Sequence, residues 1–116
     1  MNTEKSKETL AYLTNMSSSG FKKELLKDRI REALIKEPEI QRIVLFGSFI
    51  HSSTPNDIDV AIFQNSDQKY IALAMKYRKL VRNISKIIPV DIVPIKSEAK
   101  GFFIEEIEKG ETIYER

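Results

Sequence analysis

The chain has 116 residues, no cysteine, 41% hydrophobic and 31% charged side chains, and four glycines and four prolines, the profile of one globular domain with a single core. The missing cysteines exclude disulfide frameworks and cysteine zinc sites. With one histidine, His51, any bound metal has to rest on carboxylates, which favours a hard cation such as magnesium.

Nineteen basic and seventeen acidic residues leave +2, too little to announce a nucleic-acid binder from total charge. No apolar run reaches bilayer length, and residues 1–20 carry charge throughout instead of a secretory core, so a cytoplasmic location without a membrane anchor is expected. Leu10, Leu13 and Met16 suggest a weak helix before Ser17-Ser18-Ser19-Gly20, so residues 1–20 read as a leader and linker ahead of a domain over 21–116. A helix is predicted over 21–37, with Leu26, Ile30, Ala33 and Leu34 on one face and Pro38 as its stop. Arg42-Ile43-Val44-Leu45-Phe46 reads as a buried strand ended by Gly47, and Phe49-Ile50-His51 as a short helix.

The next strand is predicted over 57–63, with Ile58, Val60 and Ile62 on one face and Asp57 and Asp59 on the other. Ser66 or Asp67 caps a long predicted helix through Leu73, Tyr77, Leu80, Val81, Ile84 and Ile88 to Pro89. A third strand centres on Val90-Asp91-Ile92-Val93. A helix from Ser97 and Glu98 carries Phe103, Ile104 and Ile107, Gly110 closes it, and Thr112-Ile113-Tyr114 forms a last strand. The expected class is α/β (α+β): a mixed sheet of about four strands backed by helices.

Three features carry chemistry. Gly47 permits a sharp turn and close approach of a ligand, and Ser48 offers a hydroxyl to a phosphate, although an isolated Gly-Ser pair reads first as a strand stop with a helix cap. Asp57 and Asp59 on one strand face stand about 6–7 Å apart along the chain, within reach of one or two divalent ions. A lone Asp-x-Asp is, however, ordinarily a solvated strand end. Asp91 stands among Val90, Ile92 and Val93, where a carboxylate wants water or a cation. If the second and third strands are neighbours, all three aspartates form one cluster. Carboxylates about 4 Å apart repel by about 4 kcal/mol at an effective dielectric near 20, a conflict that magnesium relieves.

Leu45-Phe46-Gly47-Ser48, Asp57-Ile58-Asp59-Val60 and Val90-Asp91-Ile92-Val93, in this order, resemble the DNA polymerase β-like nucleotidyltransferases, and among them the minimal nucleotidyltransferases paired with HEPN proteins. The resemblance covers about residues 21–116. It implies the polymerase β-like fold, with Gly47 and Ser48 holding the triphosphate of ATP or another nucleoside triphosphate. Asp57, Asp59 and Asp91 are implied as the catalytic residues and ligands of two magnesium ions, with Asp91 also accepting the proton of the attacking hydroxyl. The implied function is an antitoxin that transfers a nucleotidyl group, AMP, to a tyrosine of a small all-helical HEPN toxin. The alternative is a catalytically weak module that neutralises its partner by contact. Members usually carry a basic residue and then a glycine after Gly-Ser, where this chain has His51 and Ser52.

Residues 69–86 hold Lys69, Lys76, Arg78, Lys79, Arg82 and Lys86 and no acid, leaving −4 for the rest of the chain. Lys69, Lys76, Lys79 and Lys86 fall near one helical face, which reads first as solvated and second as a site for RNA or an acidic partner. With no aromatic platform interleaved, nucleic acid is not the expected partner. Tyr77 and Phe102-Phe103 read as packing residues. Self-association is left open.

Overall fold

The computed structural model describes residues 19–116; the weak helix suggested by Leu10, Leu13 and Met16 lies outside the described residues. Helix α1 (Ser19–Leu34) begins within the expected Ser-Gly linker and buries Leu26, Ile30 and Leu34, spaced by four. It ends before Glu37, earlier than the sequence suggests, because the residue ahead of Pro38 is disfavoured in helical conformation. Two tight turns, Glu37 N–H to Leu34 C=O and Ile40 N–H to Glu37 C=O, lead the chain into the sheet.

Strand β1 (Ile40–Phe46) is followed by the single-turn helix α2 (Ser48–His51), strand β2 (Ile58–Gln64), helix α3 (Tyr70–Leu80) and the short helix α4 (Arg82–Ser85). Strand β3 (Val90–Lys96), helix α5 (Phe102–Glu108) and strand β4 (Glu111–Glu115) complete the chain. The four strands form one mixed sheet in the order β3-β2-β1-β4, with β2 parallel to β3 and β1 antiparallel to both β2 and β4. The parallel pair requires a crossover, which α3 and α4 provide.

Strand alternation splits the core in two. Ile43, Leu45, Ile58, Val60, Ile62 and Ile92 face α1, α3 and α4, where Leu34, Leu73 and Tyr77 pack on them. Val44, Ala61, Phe63 and Ile95 point to the other face, where Ile107 of α5 covers them. Arg42 fastens that helix: its guanidinium lies 4.2 Å from the Phe63 ring centre and pairs with Glu108 at 2.8 Å.

The long predicted helix after β2 differs in three respects. Its N-cap is Lys69 without a side-chain cap, since Ser66 Oγ instead accepts the Gln68 N–H at 2.9 Å in a local turn. It is interrupted at Val81 (φ −100°, ψ 16°). Lys76 does not belong to a solvated face. Its ammonium pairs with Glu37 at 2.8 Å and Glu39 at 2.9 Å, and the buried Tyr77 hydroxyl donates to the same Glu39 carboxylate at 2.8 Å. The expectation that Phe102 and Phe103 pack also fails, since they are 77% and 58% exposed; the helix starts at Phe102 behind Gly101, not at Ser97, and buries Ile107.

Burial disfavours the charged form of Glu39, but the hydrogen bonds from Lys76 and Tyr77 outweigh it and hold its pKa below the ordinary value. A lowered folded-state pKa means that Glu39 stabilises the fold above its unfolded pKa, about 4.3, and that this contribution is lost as pH falls through the folded value. Tyr77→Phe keeps the ring and removes one hydrogen bond to a charged group. The expected loss is about 1.5–2 kcal/mol at neutral pH, read from urea unfolding, with a smaller difference from wild type in acid.

Candidate functional site

The end of the sheet where β1 runs out and β2 and β3 begin collects the polar residues. Phe46 pairs with Asp59, and Asp59 with Asp91, so the register places Asp59 between the ends of β1 and β3. Asp57 precedes β2 by one residue, and the Ile58 N–H between the two aspartates donates to the Pro89 carbonyl at 2.9 Å. The adjacency left open by the sequence is therefore present. One carboxylate oxygen each from Asp57, Asp59 and Asp91 lies within 4.8 Å of the others. Asp57 and Asp59 are half-buried and Asp91 is exposed.

Such crowding has an electrostatic signature. Burial first, then the charges of Asp57 and Asp91 and a hydrogen bond with Asp91, raise the Asp59 pKa above its ordinary value. The donor set is all oxygen and all anionic, which suits a hard divalent cation and offers nothing to a soft one. A cation there would remove the repulsion that raises Asp59, so the residues fit magnesium.

Gly47 and Ser48 border the cluster. Gly47 has φ +78° and ψ −152°, a region that essentially only glycine occupies, and a Cβ built on it would collide with Asp59 Oδ2. Its small size thus makes room for the Asp59 carboxylate. The Ser48 hydroxyl donates to Asp57 Oδ1 at 3.4 Å, tying the turn to the first aspartate. Ser48 provides no side-chain cap for α2, so the ordinary reading of the Gly-Ser pair does not account for it.

The two departures after Gly-Ser resolve differently. Ser52 has φ −99° and ψ 145°, extended backbone that any residue adopts, so serine is unstrained where a glycine was expected. Its N–H donates to Ser48 C=O at 2.8 Å, and its carbonyl accepts from the Lys23 ammonium of α1. His51 is exposed in the last turn of α2. Lys23, which the sequence reading missed, also lies 5.6 Å from the Phe49 ring centre and braces the short helix α2 that begins at Ser48. Nothing in its local sequence marks it, because the contact spans 29 positions.

The family description "Polymerase beta, Nucleotidyltransferase" matches residues 28–116, which include all four strands and the three aspartates. The chain belongs to this nucleotidyltransferase family. The polymerase β assignment agrees with the mixed four-stranded sheet backed by helices. Among solved structures, this nucleotidyltransferase is similar to a chain from a complex of a tri-AMPylated Shewanella oneidensis HEPN toxin with MNT antitoxin. The identity is 24% and the TM-score 0.61, over 81% of this chain and 73% of that one. It is also similar to a chain from the toxin-antitoxin MntA-HepT, at 23% identity and TM-score 0.58, over 80% of this chain and 73% of that one. At these identities the likeness is one of fold. No curated protein sequence matches the chain. No helix among the described residues is long and apolar enough to cross a membrane.

Proposed function

We propose that this nucleotidyltransferase is a magnesium-dependent adenylyltransferase of the cytoplasm that moves AMP from ATP to a tyrosine hydroxyl of a HEPN-domain toxin and so acts as its antitoxin. The observation that carries the reading is the convergence of Asp57, Asp59 and Asp91 beside the Gly47-Ser48 turn. Its fold neighbours come from HEPN toxin–MNT antitoxin complexes, one of them with an AMPylated toxin, which supports both the partner and the group transferred.

In this reading Asp57, Asp59 and Asp91 hold magnesium, which supplies charge neutralisation for a triphosphate and Lewis-acid polarisation of the reacting phosphate. Gly47 lets the triphosphate approach the backbone, and the Ser48 hydroxyl turns from Asp57 to a phosphate oxygen. The acceptor oxygen forms a bond to the α-phosphorus while the bond from that phosphorus to the β-phosphate bridging oxygen breaks. Pyrophosphate leaves, and the hydroxyl proton passes to the exposed Asp91 carboxylate. The described residues form one sheet with its helices, and in this reading the acceptor is presented by another protein.

The test is to incubate the full chain with ATP, magnesium and the HEPN partner and to weigh the partner by mass spectrometry. One or more AMP additions are expected. No addition, or equal addition by the Asp57→Ala, Asp59→Ala double variant, overturns the reading. Equal neutralisation of the partner by that double variant identifies a module that acts by contact.

Gly47→Ala is a second, independent check. This glycine-only backbone conformation costs about 1–3 kcal/mol with a Cβ present, and the Asp59 carboxylate must swing away. A shift of about 1 Å in a catalytic group lowers transfer by about 10²-fold. The expected product is a folded protein with a modest drop in melting temperature and a loss of transfer far larger than that drop explains.

A further inference from the structure

We infer that the outer face of α3–α4 is the docking surface for the acceptor protein, and that it takes an acidic helical surface with an apolar centre. This rests on the partner reading above and adds where, and by what chemistry, the partner binds. The side chains are Ile71, Met75, Arg78, Lys79, Arg82 and Lys86, all exposed. They follow one another at three- and four-residue steps, with Lys79 beside Arg78, opposite the buried Leu73, Ala74 and Tyr77. The stripe runs through the interruption at Val81, because the Val81 N–H donates to Tyr77 C=O and the Ser85 N–H to Val81 C=O at 3.2 and 3.0 Å.

Two properties of this stripe call for a partner. Ile71 and Met75 are 67% and 62% exposed, neighbouring aliphatic side chains on a helix whose other side is already packed. Beyond them the four cations take part in no ion pair among the described residues, whereas Lys76, on the same helix, is held by two glutamates. An uncompensated +4 contiguous with an aliphatic pair matches a protein surface with carboxylates beside an apolar patch. RNA would leave Ile71 and Met75 without a counterpart, and no aromatic side chain lies among the cations to stack a base.

Position ties the stripe to the chemistry. Its cationic end leads within a few residues to Pro89, whose carbonyl accepts the Ile58 N–H between Asp57 and Asp59. The stripe lies on the α3–α4 side of the sheet and the aspartates project to the other side, so a partner seated on Arg82 and Lys86 reaches the cluster round the edge strand β3, with its apolar centre anchored farther away on Ile71 and Met75. The cations also offset the repulsion that the three aspartates exert on an acidic surface, which favours fast encounter.

Two double variants test the surface: Ile71→Asp with Met75→Asp, and Arg82→Glu with Lys86→Glu. Binding of a HEPN-domain protein from the same genome is measured by titration calorimetry at low and high salt, and binding of ATP with magnesium is measured separately. Both variants are expected to weaken partner binding at least tenfold and to leave ATP affinity within about twofold of wild type. The charge reversal should also flatten the salt dependence. Wild-type partner affinity in both variants overturns the docking surface while leaving the transferase reading intact. Failure of wild-type protein to bind the HEPN protein overturns the partner reading and this inference together. Strong salt-dependent binding of a single-stranded RNA oligonucleotide, lost on charge reversal, assigns the stripe to RNA instead.

Discussion

Asp59→Asn is expected to make the metal-free protein more stable while abolishing nucleotidyl transfer. The Asp59 pKa is raised in the folded state, by burial first and then by Asp57 and Asp91. A raised folded-state pKa means that the stabilising balance is complete below the unfolded value and is lost as pH rises through the folded one. At neutral pH the wild-type cluster therefore carries a standing penalty. Two carboxylate charges within 4.8 Å of each other repel by at least about 3.5 kcal/mol at an effective dielectric of 20. Solvent at the exposed Asp91 reduces the net gain from removing one charge to about 1 kcal/mol.

The melting temperature of the metal-free variant should accordingly rise by about 4–8 °C. Magnesium reverses the order. At ten times its dissociation constant it adds about 1.4 kcal/mol to wild type and little to the variant. Transfer should fall by at least about 10³-fold, because the loss of one central ligand weakens the charge stabilisation on which the reaction depends. Thermal melts with and without magnesium, together with mass spectrometry of the acceptor, give all three results. A metal-free variant that melts at or below wild type would remove the electrostatic basis of the site.

The same cluster marks how far the sequence could be read. Ile43 to Phe46, Ile58 to Ile62 and Val90 to Val93 are runs that only buried strands use well, and all three aspartates are visible in or beside them. What brings Asp91 to Asp59 is the parallel pairing of β2 with β3, a non-local choice that no property of residues 90–93 records. Helix ends were harder. Val81, Ile84 and Ile88 keep the apolar period, so the interruption at Val81 leaves no mark in the pattern. Ser97 and Glu98 have the composition of a cap but are spent in a turn, while Gly101 at φ +128° precedes the real helix. Lys76 looked like part of a solvated face because its partners, Glu37 and Glu39, lie almost forty positions away.

Gly110→Ala is expected to destabilise the fold severely, and for a reason different from the one its position suggests. A glycine after a helix ordinarily serves as a left-handed cap, yet among the described residues only Gly47 and Gly101 have positive φ. Gly110 is required by proximity. A Cβ built on it would overlap the Leu45 carbonyl oxygen and stand 3.0 Å from Leu45 C and Phe46 Cα. These are backbone atoms of β1, fixed by pairing with β2 on one side and β4 on the other, so no rotamer change relieves the overlap.

Relief requires β4 to move away from β1, which loosens its ladder and the Lys27 bridge to Glu111 at 2.9 Å. It also strains the last strand residue before the Gly47 turn. Overpacking of this kind costs about 3 kcal/mol, or about 12–20 °C in melting temperature for a domain of this size. Calorimetry should show that loss. Magnesium should recover only part of it, because its proposed ligands stand on and beside β2 and β3 while the damage enters through β1. Full recovery of the melting temperature by magnesium would mean that β4 is not held as tightly as its contact with Leu45 implies.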